Sequence, residues 1–149
     1  MSFAIGFLSA SHKQAKCATR GQITIGDFTE SFMAPLAFWS TSDYQAQWKA
    51  GLLRILKGAA KSCLITEVHS PSGNPHVMWW LLYRSGTSVF IQNNLLLPRN
   101  RGNRFAIQSP YRNIPRRVTM NEEGLRISEW RTTMRELEAF LEAERLHLP

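Results

Sequence analysis

The chain has few cysteines, no long apolar run and no clustered metal ligands, and each scarcity removes a class of function. Its two cysteines, Cys17 in a polar stretch and Cys63 in an apolar one, make no spaced framework. A disulfide scaffold is therefore not expected, and a reducing compartment is. No stretch of ~18 apolar residues runs uninterrupted, as a membrane-spanning helix requires; the longest candidate, Val77 to Tyr83, stops at Arg84. The apolar start, Phe3 to Leu8, lacks a positively charged lead and is too short for a signal-peptide core. These features together predict a cytoplasmic protein.

Catalytic patterns are equally thin. The four histidines, His12, His69, His76 and His147, are scattered, with no pair at a metal-ligand spacing. His12 and His76 are the one loosely plausible acid–base pair for a small basic ribonuclease, and each is better explained as a loop or strand-end residue. Gly51 and Gly58 form no phosphate loop, and Ser70, Ser72 and Ser109 sit in no nucleophile elbow. The reading is no enzyme, no cofactor and no metal.

What is present suits a packed domain. A length of 149 residues fits one domain over 1–149, and folding at that size buries roughly 70% of the unfolded surface. Tyr44, Trp48, Leu52 and Ile55 recur at helical spacing after Asp43, with Thr41 or Ser42 as the expected N-cap and Lys57-Gly58 as the stop. Ile23 and Ile25 alternate with polar neighbours, and Pro35 within Phe32 to Trp39 marks a strand end or an edge. Leu64 to Val68, Val77 to Arg84 and Ser88 to Leu97 read as three strands of an antiparallel meander. Trp79 and Trp80 would occupy opposite faces of the middle strand, so both of its faces need cover. A polar turn, Asn121 to Gly124, precedes a short alternating strand around Leu125 and Ile127. Thr133 then stands three residues before Glu136, the capping-box spacing, and Met134, Leu137 and Leu141 give a last helix its apolar stripe. The class is α+β with antiparallel sheets, strands followed by a helix twice over, and two main helices; a single open sheet with two helices on one side carries nearly the same signature.

Charge is the unusual feature. The formal balance is +7, and Arg99, Arg101, Arg104, Arg112, Arg116 and Arg117 lie in one stretch without an acidic residue. Phe105 and Tyr111 interleave with them, and Pro98, Gly102, Pro110 and Pro115 mark the stretch as a loop. Arginine matters here because its planar fork bonds carboxylate or phosphate in two places at once. A solvated loop, an acidic protein surface and a nucleic-acid backbone with bases stacked on Phe105 and Tyr111 all remain open as explanations. Glu122, Glu123 and Glu129 are a second, acidic candidate cluster, more simply the solvated end of a hairpin.

Four segments carry a resemblance: Asp43-Tyr44-Gln45-Ala46-Gln47-Trp48, Ser62-Cys63-Leu64-Ile65-Thr66, Val89-Phe90-Ile91-Gln92-Asn93-Asn94, and Asn121 through Trp130. In their order and spacing the chain resembles bacterial contact-dependent growth inhibition immunity proteins, in the group whose fold is similar to Whirly single-stranded-DNA-binding domains. The likeness spans roughly Ile23 to Leu141. It implies a Whirly-like α+β fold and a cytosolic protein without turnover, which binds the C-terminal toxin domain of a cognate CdiA effector, expected to be a nuclease, one to one. Under that implication Arg99, Arg101, Arg104, Tyr111, Arg112, Arg116 and Arg117 are the partner-binding candidates; a single-stranded nucleic-acid-binding module is the alternative.

Overall fold

Alternating apolar residues in the first sheet and continuous apolar runs in the second assemble two antiparallel sheets, each followed in the chain by a helix. The computed structural model describes residues 2–8, 17–69, 76–96 and 109–146. Strands β1 (Phe3–Phe7), β2 (Ala18–Ile25) and β3 (Phe28–Pro35) form a three-stranded sheet in that order, and α1 (Thr41–Leu56) follows. Strands β4 (Lys61–His69), β5 (His76–Ser85), β6 (Ser88–Leu96) and β7 (Trp130–Thr133) form a four-stranded sheet, also in chain order, and α2 (Met134–Leu146) follows. The twofold strands-then-helix plan and the meander are as read from the sequence. The apolar start read only as too short for a signal core is β1, paired with β2 from Phe3↔Ile25 to Phe7↔Gly21. Pro35 does end an edge strand.

Helix α1 begins one residue earlier than the sequence suggested. Ser40, not Thr41 or Ser42, is the N-cap: its hydroxyl accepts from the Asp43 amide, and the Asp43 carboxylate accepts from the Ser40 amide. Asp43 stands three residues beyond Ser40, the spacing at which a side chain can return the cap's bond, and its carboxylate does so. Thr133 fills the corresponding place for α2, its hydroxyl accepting from the Glu136 amide at 3.2 Å.

Tyr44, Trp48, Leu52 and Ile55 are buried as the stripe requires, but the same face also carries Gln47 and Gly51. Both have a reason. Strand β4 is the edge of its sheet, and its outward backbone groups are taken up by α1 side chains. The Gln47 amide accepts from Ile65 N–H at 2.6 Å and donates to Cys63 C=O at 2.9 Å, doing for this edge what a neighbouring strand's peptide would do. Trp48 Nε1 donates to Ile65 C=O at 2.7 Å. Tyr44 Oη accepts from Val68 N–H and donates to Pro35 C=O, tying β4 to the end of β3. Burial pushes this phenol up to about 12, so it stays a neutral donor. Gly51 permits the approach, since a β-carbon there would drive into the Cys63 carbonyl oxygen.

Both faces of β5 are covered. Trp80 meets Phe28 and Trp130 at ring centroids 6.2 and 5.7 Å away, and those two stack on each other at 4.1 Å, so one aromatic cluster joins the two sheets. Trp79 is also fully buried, on the opposite face, with Nε1 donating to Asn94 Oδ1 at 2.9 Å. The face that holds Trp79 is where the chain from Ser109 to Val118 lies.

Candidate partner-binding surface

Cross-strand register places Lys61, Tyr83, Phe90 and Arg131 in one row across β4, β5, β6 and β7, all on the same face of the sheet. The chain from Ser109 to Val118 crosses over this row as a strap. It is not wholly irregular, as the proline pattern suggested: Pro110–Asn113 make one 3-10 turn. Lys61 Nζ donates to Ile114 C=O at 3.2 Å, and Tyr83 Oη donates to Pro115 C=O at 2.9 Å. Gln92 Nε2, from the adjoining row, donates to Val118 C=O at 3.0 Å. Ile114 and Pro110 are the strap's own buried side chains, and Arg54 of α1 sits over the Tyr111 ring, 4.2 Å from its centroid. Polar groups from α1, β4, β5 and β6 thus satisfy carbonyls and rings that a free loop would leave to water.

That tethering sorts the candidate residues. Arg99, Arg101 and Arg104 lie outside the described residues. Arg112 and Arg116 are exposed, and no described acidic side chain pairs with either. Arg117 is engaged within the fold. Its guanidinium lies over Phe90 at 4.0 Å and holds Glu129 in both prongs, Nε to Oε2 at 2.8 Å and Nη2 to Oε1 at 2.6 Å. Tyr111 spends one face of its ring on Arg54. Arg131 ends the underlying row and is exposed. The described strap side therefore offers Arg112, Arg116 and Arg131 as unpaired cations around a tied backbone.

Glu129 does not join Glu122 and Glu123 in an acidic cluster. The Arg117 fork holds its carboxyl below the ordinary carboxylate range, opposed by partial burial and helped by Gln92 Nε2 at 2.8 Å. A carboxylate with a depressed value stabilises the fold above the ordinary glutamate pKa of about 4.3, and that contribution fades as acidification carries the pH below it. Glu129→Gln is expected to lower stability by about 1–2 kcal/mol at neutral pH. In melts at stepped pH the gap to the wild type should narrow below about pH 4.3; a gap that widened on acidification would count against the ion pair as its source.

Past Glu129's partner the chain forms a tight loop where a short strand around Leu125 and Ile127 was expected. A single bridge, Met120↔Arg126, stands there, and pairing with β6 starts only at Trp130. The reason is local: Asn121 Oδ1 accepts from both Glu123 and Leu125 amides at 2.9 Å, and Gly124 takes φ +81°, which closes the loop before strands can extend. Asn121 N–H to Leu125 C=O and Ile127 N–H to Thr119 C=O complete it at 2.8 Å each. Val118, Met120 and Leu125 nevertheless remain exposed, at 41, 55 and 60%.

Lys61 and Tyr83, which tie down the strap, were not singled out from the sequence; Gln92, with Asn93 and Asn94, stood out there as a polar group for an interface or for hydrogen bonds at a sheet edge, and it bonds the strap at Val118 as well as Glu129. The histidines come out differently. His12 lies outside the described residues, and His76 is the cross-strand partner of His69, whose Nε2 lies 3.2 Å from Glu67 Oε1. Among the described residues no three His, Cys, Asp or Glu side chains are placed to hold a metal ion, and no helix is long and apolar enough to cross a membrane. Burial pushes the Cys63 thiol far above its ordinary range, while Cys17 is exposed.

Comparison with known proteins places this geometry. Residues 34–140 match a family described as the CdiI N-terminal domain. The immunity protein CdiI of Enterobacter cloacae subsp. cloacae is 30% identical over 113 residues, which are 75% of this chain and 77% of that protein. A chain of the solved CdiA-CT/CdiI toxin and immunity complex from Enterobacter cloacae superposes with a TM-score of 0.82 at 25% identity, over 97% of this chain and 99% of that one.

Proposed function

The chain belongs to the CdiI family of immunity proteins, and from that premise we propose that it binds the C-terminal toxin domain of a cognate CdiA effector one to one, in the cytoplasm, and neutralises it by occlusion without chemical turnover. The observation that carries the surface assignment is the strap. Its backbone is held by Lys61, Tyr83 and Gln92 while Arg112 and Arg116 are exposed with no carboxylate partner among the described residues. A pre-shaped surface of this kind loses little conformational entropy when it binds.

The toxin domain is proposed to be a nuclease, with one constraint from charge. A chain of net +7 does not imitate the phosphates that a nuclease's basic cleft attracts. The arginines instead meet a carboxylate-rich face beside the active site, so that substrate access is blocked by bulk and an acidic rim supplies the attraction. Arg99, Arg101, Arg104, Arg112 and Arg116 are the contacting cations in this reading; Tyr111 and Arg117 hold the strap in place.

The test is association kinetics with the purified cognate toxin domain. Arg112→Glu combined with Arg116→Glu should slow association about tenfold or more at low salt, with the deficit shrinking at high salt as exposed charges are screened. Association and protection of toxin-expressing cells both equal to wild type would remove these residues from the interface.

A further inference from the structure

Between the base of the Thr119–Ser128 loop and the start of β7 lies an open cleft of about 530 Å³, walled by Arg117, Met120, Arg126, Ile127, Glu129 and Trp130. Its charges are unequal in what they have left to give. Glu129 is already satisfied by the Arg117 fork and by Gln92. Arg126 is exposed and has no ion-pair partner among the described residues. Among the described residues the unspent charge of the cleft is therefore Arg126, whose bridge partner Met120 is exposed and which shares the lining with Trp130.

Resting on the immunity reading, we propose that this cleft is the socket for an acidic side chain of the toxin domain. The carboxylate bonds the Arg126 guanidinium, and the methylene stem lies against Met120 and Trp130. Three observations select this occupant. A planar guanidinium in a mostly polar cleft, with Met120 and Trp130 among its lining residues, suits a single carboxylate on a short aliphatic stem. A nucleic-acid strand is disfavoured because a run of phosphates extending beyond the cleft would also meet Glu122 and Glu123, exposed at the loop's tip. A second copy of this chain is disfavoured because two bodies of net +7 repel each other. The loop also comes ready-made: the Asn121 turn, the positive φ of Gly124 and the Arg117–Glu129 clamp hold Met120 and Arg126 in place before any partner arrives.

The experiment measures binding of the cognate toxin domain to the full chain and to two variants of exposed residues, Arg126→Glu and Met120→Ala, with thermal melts to confirm unchanged folding. Arg126→Glu should weaken binding about a hundredfold, mostly through faster dissociation, and Met120→Ala about tenfold. A toxin variant with one interfacial Asp or Glu changed to Lys should recover binding to Arg126→Glu specifically. Wild-type affinity in Arg126→Glu, with the wild-type chain itself binding, would overturn the socket and leave the immunity reading standing. A wild-type chain that does not bind the toxin at all would instead bring down the reading beneath it. A change of oligomeric state in Arg126→Glu with toxin binding intact would assign the cleft to a second copy and overturn the proposal.

Discussion

Gln47→Leu is expected to destabilise the fold by roughly 2–5 kcal/mol, although it replaces a buried amide with an apolar side chain of similar size and good helix propensity. Leucine would bury comfortably, but the groups Gln47 serves would not change with it. Ile65 N–H and Cys63 C=O would face an alkyl group inside a sealed joint between α1 and β4, each losing a partner now at 2.6 and 2.9 Å. A buried backbone group without a partner costs about 1–3 kcal/mol. Urea unfolding should show a lower midpoint at unchanged slope, and native-state hydrogen exchange should find the Ile65 amide opening more readily than in the wild type. A variant as stable as wild type would mean that water reaches the β4 edge and that α1 is not its seal.

The second large effect belongs to Trp80. Trp80→Ala should cost about 3–5 kcal/mol, because the indole is 1% exposed and stands where the two sheets meet. Its neighbours come from different sheets, Phe28 from the first and Trp130 from the second, so the vacancy cannot be closed by moving one sheet alone. Trp80→Phe should recover more than half of the loss by keeping an aromatic contact with both. Near-UV circular dichroism would report the loosened Phe28–Trp130 stack, and equilibrium unfolding would give the energies. If Trp79→Ala, on the other face, disturbed that stack as much, the two faces of β5 would not be independent.

Trp130 matters beyond packing. It closes the aromatic joint on one side and walls the proposed socket on the other, one residue from Glu129, which clamps the strap. The strap, the loop and the joint between sheets therefore share anchors within a few residues. A substitution at Trp130 would disturb binding and stability together, which makes the exposed Arg112, Arg116 and Arg126 the better probes of function.

Periodicity carried most of the architecture. The α1 stripe, the Pro35 edge, the three strands of the meander, the Gly58 stop and the Thr133 cap all follow from local rules of spacing, propensity and capping. The misses were of a different kind. β1 was passed over because five residues interrupted by Gly6 carry little pattern without the partner β2 supplies. The N-cap shifted to Ser40 because three adjacent hydroxyl residues compete, and at Ser40 the Asp43 carboxylate three residues on returns the bond. The strand expected at Leu125 and Ile127 yielded to the Asn121–Gly124 turn, whose hydrogen bonds close locally before a ladder can form.

The candidate site was legible as composition and not as arrangement. An arginine run without acids is visible in one dimension, but which arginines remain free depends on partners distant in sequence: Glu129 for Arg117, and Arg54 beside Tyr111. Sequence alone determined the α+β class, the helix faces and the basic character, because those depend on residues a few positions apart. Only the tertiary structure decided that a strap crosses one row of the sheet, that Gln47 stands in for a missing strand, and that Arg126 lines a cleft with no ion-pair partner among the described residues. Hydrogen bonds and ion pairs are satisfied by proximity in space, and chain order says little about which groups the fold will bring within 3 Å of each other.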